Sequence, residues 1–123
     1  MADTQYQKEL LESWEEIFKK GQLTLWVLLA LKSGPKYMAE ISEFISSSTN
    51  GSLTIEDQSL YRALRRYNDA EMVAYKDVPG EKGPTRKEYV LTALGRTLLQ
   101  QFLERNIIQV YFSKQIQKLI LDR

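Results

Sequence analysis

Three observations predict a mainly helical fold with a small two-stranded β wing, arranged as a winged helix-turn-helix with a long C-terminal helix. A polar-faced helical pattern over Glu56–Ala70 gives way to apolar/polar alternation from Met72 to Val78. A polar turn from Pro79 to Thr85, with two glycines and two prolines, leads into a returning strand, Arg86–Leu91. From Thr92 to Leu121 an apolar-rich pattern runs on without a proline. The boundaries follow: an N-terminal helix in 1–21 that packs on the C-terminal helix, a winged helix-turn-helix in 22–91, and a dimerisation helix in 92–123.

Taken in order, Asp3 to Lys20 reads as a helix with Leu10, Trp14, Ile17 and Phe18 on one side, ending at Gly21. Gln22 to Lys32 is a nearly all-apolar, central helix, stopped by Gly34-Pro35. Lys36 to Ser46 forms a shorter helix with Met38, Ile41, Phe44 and Ile45 inward, and the uncharged run Ser46 to Ser52 is a loop. In Glu56–Ala70, with Thr54 as N-cap, Leu60, Leu64 and Tyr67 make the buried stripe. Thr92 caps the last helix, and Gly95 early in it points to a close approach to the wing strands.

Composition narrows the function. The chain has 123 residues, about one domain, with 43% hydrophobic residues and a net charge of +1. It has no cysteine and no histidine, which removes thiolate chemistry, disulfides, and the commonest general base and metal ligand. With no Gly-rich phosphate loop and no plausible carboxylate pair, neither an enzyme nor a cofactor is expected. Met1 to Lys20 is too charged for a signal peptide, and no apolar run approaches the ~20 residues of a membrane span, so a cytoplasmic protein with no membrane partner is expected.

The face of Glu56–Ala70 opposite the buried stripe carries Gln58, Arg62, Arg65 and Asp69, flanked by Ser59, Tyr61 and Arg66. Gln pairs bidentately with adenine and Arg with guanine, while hydroxyls reach phosphate. Lys82, Arg86 and Lys87 put positive charge at or near the hairpin tip, where a backbone or minor groove would lie. Against this, the basic residues of 53–90 are matched by Glu56, Asp57, Asp69, Glu71, Asp77, Glu81 and Glu88. Neutrality weakens the phosphate attraction that supplies most affinity for DNA. It leaves open an alternative, a winged helix that binds proteins rather than DNA.

Leu60-Tyr61-Arg62-Ala63-Leu64 followed by Gly83-Pro84-Thr85-Arg86-Lys87-Glu88-Tyr89 and Leu91-Thr92-Ala93-Leu94-Gly95 resembles the PadR family of winged-helix transcriptional regulators. Leu28 to Pro35 fits that family's first helix and turn, and the likeness spans roughly residues 22 to 96. The chain departs from the pattern at Tyr37-Met38-Ala39, at Asp57-Gln58, and at Glu71, where a glycine is usual. The resemblance implies a transcriptional regulator binding double-stranded DNA, with Ser59, Tyr61 and Arg62 in the recognition helix and Arg86 and Lys87 in the wing. It also implies a homodimer of the short type, closed by one C-terminal helix.

Thr92–Leu121 as one helix would be about 45 Å long, and its apolar positions cover more than one stripe. Leu99, Phe102, Leu103, Ile107, Val110 and Tyr111 are the expected dimer contacts, with the other side on Leu10, Trp14 and Phe18. The alternative is a bent helix, or two helices broken near Asn106, packed within one chain. Two recognition helices about one duplex turn apart, ~34 Å, would read an inverted repeat, as a repressor does. Relatives of this kind also hold small aromatic or cationic effectors between subunits, which would nominate Trp14, Trp26, Phe102, Tyr111 and Phe112. Aromatics at helical spacing are more often plain core, so no ligand is assigned.

Overall fold

The computed structural model describes residues 3–122. Helix α1 (Thr4–Lys20) leads to α2 (Leu23–Lys32), strand β1 (Lys36–Tyr37), α3 (Met38–Ser48) and α4 (Asp57–Asp69). Strands β2 (Val73–Val78) and β3 (Arg86–Leu91) form the wing, and α5 (Ala93–Leu103) opens the C-terminal segment. The sheet has three strands in the order β1-β3-β2, all antiparallel. The expected two-stranded wing thus gains a third strand from Lys36 and Tyr37, the residues that were expected to begin a helix. They pair with Tyr89 and Glu88 instead.

The core is one cluster. Val27, Leu28, Ala30 and Leu31 of α2 meet Ile41 and Ile45 of α3, the Leu60, Ala63, Leu64 and Tyr67 stripe of α4, Val73, Tyr89 and Leu91 of the sheet, and Leu99 of α5. Each large apolar side chain buried here contributes about 1.5–3 kcal/mol, so the core fixes α4 and the wing relative to α2. Tyr67 adds a polar tie, its hydroxyl lying 2.8 Å from that of Thr24.

Helix ends explain several boundaries. Helix α3 runs to Ser48, into the expected loop, and stops where Asn50 turns left-handed (φ 53°) and Gly51 N–H reaches back to the Ser46 carbonyl at 2.7 Å. Helix α4 is preceded by Glu56, not Thr54, and has no side-chain cap. It ends the same way as α3: Glu71 adopts φ 64°, and Met72 N–H donates to the Tyr67 carbonyl at 2.8 Å. Thr92 caps α5 as expected, accepting the Gly95 N–H at 3.0 Å.

The C-terminal segment is not the single helix expected. After α5 the turns widen into a π-helical stretch, Glu104–Ile108, then α6 (Gln109–Tyr111), a break at Phe112, and α7 (Lys114–Leu121). Two side chains account for this. Asn106 Nδ2 donates to the Phe102 carbonyl at 3.2 Å, competing with the helical ladder where it widens. Ser113 is extended (ψ 147°) and caps a new helix by accepting the Ile116 N–H at 3.2 Å.

Two packing expectations are corrected. Leu99, expected at a dimer surface, is 2% exposed and belongs to the core of its own chain. Helix α1 does not pack on the chain's own C-terminal helix: it has no buried residue, and Trp14 is 72% exposed.

Candidate nucleic-acid interface

Helix α4 is amphipathic, and burying Leu60, Ala63, Leu64 and Tyr67 forces the opposite face outward. Gln58, Arg62 and Arg65 are exposed on it, with exposed Tyr61 on one flank and half-buried Ser59 on the other. Among the described residues neither Arg62, Arg65 nor Arg66 has a carboxylate within ion-pairing distance. Gln58, Tyr61 and Arg62 share a depression of about 350 Å³ with Asp57 and Met38. Asp57 favours the helix through its dipole at that end.

The wing lies on the Tyr61 flank. Tyr61, Arg65 and Lys87 line a second cavity of about 210 Å³, together with Tyr75 and Tyr89. Lys82 is exposed in the turn and Arg86 is exposed at the start of β3. The structure therefore brings Gln58, Tyr61 and Arg62 together, and Tyr61, Arg65 and Lys87 together. Lys82 stays apart at the tip, and Ser59 lines neither cavity.

Neighbours on a strand point to opposite faces, and the two basic residues of the wing meet different rings. The Arg86 guanidinium lies 3.9 Å from the centroid of Tyr37, just before α3. The Lys87 ammonium lies 4.6 Å from the Tyr75 centroid and 5.7 Å from that of Tyr61. Both sheet contacts are diagonal across the ladder. Tyr37 pairs with Glu88, and Tyr75 pairs with Tyr89, each two residues from its cation's position. Nothing local in the sequence sets Tyr37 and Tyr75 beside these cations; the register of the sheet does.

The surrounding electrostatics are modest. Lys76 pairs with Glu88 at 3.5 Å, directly opposite in register. Burial, with added effects of Tyr61 and then Tyr75, pushes the Tyr89 phenol above its ordinary 10.0. Among the described residues no cluster of acidic side chains is placed to hold a metal ion, and no helix is long and apolar enough to cross a membrane.

The aromatic residues nominated for an effector are dispersed over different surfaces. Phe102 lines an apolar cavity of about 280 Å³ with Leu25, Leu28, Met72 and Leu98. Trp14 lines a separate groove with Leu11 and Phe18 of α1. The Trp26 indole N–H donates to Gln22 at 3.1 Å.

Comparison with known proteins decides the family. The profile of the transcriptional regulator PadR-like family matches residues 27–101, which takes in α4, the wing and most of α5. The chain belongs to the PadR-like family. A protein of Lysinibacillus sphaericus, itself uncharacterized, is 32% identical over 87 residues, covering 69% of this chain and 78% of its own length. Among solved structures, a PadR family regulator from Eggerthella lenta aligns over 98% of this chain and all of its own, with a TM-score of 0.72 at 21% identity. Bacillus subtilis PadR, solved with operator DNA, aligns over 80% of this chain and 63% of its own, with a TM-score of 0.63 at 18% identity. At these identities the structural likenesses establish the winged-helix fold of this PadR-like chain.

Proposed function

We propose that this PadR-like regulator is a homodimeric, cytoplasmic repressor that reads an inverted repeat in double-stranded DNA, one α4 per half-site. The observation that carries the reading is the α4 face: Gln58, Arg62 and Arg65 stand exposed beside a basic wing, and among the described residues no ion pair engages the two arginines. In this reading Gln58, Ser59, Arg62 and Arg65 enter the major groove. Tyr61, Lys82 and Arg86 hold phosphates or the minor groove. Stacking does not disqualify Arg86, since a guanidinium lying on a ring keeps its in-plane N–H donors free. The Lys87 ammonium lies 5.7 Å from the Tyr61 ring centroid.

Support for a second copy comes from unpartnered apolar surface. The α1 stripe of Leu10, Trp14, Ile17 and Phe18 is exposed, as are Phe102, Val110 and Tyr111, while Leu103 and Ile107 are half-buried. Exposed apolar surface on this scale marks an association site. Selection of bound duplexes from a random pool at fixed salt tests the reading. Enrichment of two related half-sites about 10 base pairs apart is expected. Enrichment of nothing would favour the protein-binding alternative, to which the charge balance of residues 53–90 points.

A further inference from the structure

We propose that Lys87 is a positioning residue, a cationic strut between the wing and the recognition helix, and not a phosphate ligand; this rests on α4 being the DNA-reading helix. Three features of its surroundings lead there. Lys87 is half-buried on the sheet face that carries Val73, Tyr75 and Tyr89. Its ammonium is within reach of two ring faces on two different elements, Tyr75 on β2 and Tyr61 on α4. Asp77 lies directly across the ladder, yet among the described residues Lys87 makes no ion pair with it.

The rings are themselves tied to the core. Tyr75 packs on Tyr89 with centroids 5.7 Å apart and planes tilted by 55°. Tyr89 is 5% exposed and packs with α4's Leu64 in the central cluster. One face of the ammonium is therefore fixed by a ring anchored in the sheet, and another by a ring on the helix. An ammonium holds its three N–H donors on one compact charge, so two rings draw in most of them, whereas a stacked guanidinium keeps its in-plane donors. Moving the wing away from α4 would separate Lys87 from Tyr61. The strut thus sets the angle at which the hairpin meets the groove that α4 occupies.

The test uses the full chain and the variants Lys87→Met, Lys87→Arg, Tyr75→Leu and the Lys87→Met/Tyr75→Leu pair. In the DNA-free protein, the ε-methylene protons of Lys87 should be shifted upfield by ring currents and should return toward ordinary lysine values in Tyr75→Leu. Ordinary shifts in the wild type would overturn the strut whether or not DNA is bound. On the selected duplex, Lys87→Met and Tyr75→Leu should each weaken binding about three- to ten-fold. The double variant should be no weaker than the worse single variant, Lys87→Arg should bind near wild type, and the slope of log affinity against log salt should hold. A slope lower by about one unit in Lys87→Met, with Tyr75→Leu unaffected, would make Lys87 a phosphate ligand and overturn the proposal. So would additive losses in the double variant. A wild-type chain that binds no duplex would instead count against the DNA reading, and the proton shifts would still decide the strut.

Discussion

Replacing Gly95 with alanine should destabilise the fold, although alanine is the better helix former. A Cβ at Gly95 would lie 2.0 Å from the Met72 carbonyl oxygen, 3.0 Å from its carbon and 3.2 Å from Leu91 Cδ2. To relieve the first contact, α5 and the start of β2 would have to part by about 1 Å, and such overpacking costs about 1–3 kcal/mol or more. The same carbonyl accepts the Thr92 N–H at 3.2 Å and lies 3.1 Å from the Thr92 hydroxyl. The hydroxyl donates to the Glu71 carbonyl at 2.6 Å, so parting the elements chiefly weakens the Thr92 N–H bond, at about 1 kcal/mol. Helix propensity returns about 1 kcal/mol. The net loss is about 1–3 kcal/mol, a fall in Tm of about 3–15 °C for a domain of this size. Urea and thermal unfolding followed by far-UV circular dichroism, all at one protein concentration, would measure it. A Gly95→Ala chain as stable as the parent would refute the close approach and the packing drawn from it.

Other outcomes follow from particular residues. Glu71 holds φ 64° at the end of α4, so Glu71→Gly should raise stability by about 1 kcal/mol in urea titrations; a loss would show that its side chain contributes more than its backbone costs. Lys82→Ala should weaken all duplexes about equally and flatten the salt slope by about one unit, and a sequence-selective loss would remove Lys82 from the backbone contacts. The raised Tyr89 phenol means that its contribution to stability is complete below its unfolded value and is lost as pH rises through the folded one, because the unfolded chain gives up that proton first. Tyr89→Phe should therefore lose less stability than the parent between about pH 9 and pH 11, and parallel curves would contradict the shift.

Much of the fold was legible because long periodic patterns dominate it. The stripe of α4, the alternation of β2 and β3, and the Thr92 cap are strong local signals. Strand β1 was hidden because two residues cannot show an alternation; Lys36 and Tyr37 become a strand only by pairing with β3. The C-terminal segment misled for a different reason. Its apolar residues surround the helix, and nothing local says that Leu99 faces its own α2 while Phe102 stays half-exposed. Its break could have been read at Ser113, a helix-starting residue followed by a fresh amphipathic turn. At the interface, α4's polar face followed directly from its buried one. The engagement of Arg86 and Lys87 with tyrosine rings did not, since it depends on the register of the sheet and the placement of α4 beside the wing.

The central claim, that the exposed face of α4 reads base pairs, is tested most directly by comparing the wild type and Arg62→Ala on the selected duplex and on a panel of its single-base variants at one salt concentration. The account predicts a loss of about 1–3 kcal/mol on the preferred sequence, with discrimination collapsing at one base position in each half-site. Equal affinity on every duplex, or an equal loss on all of them, would contradict it.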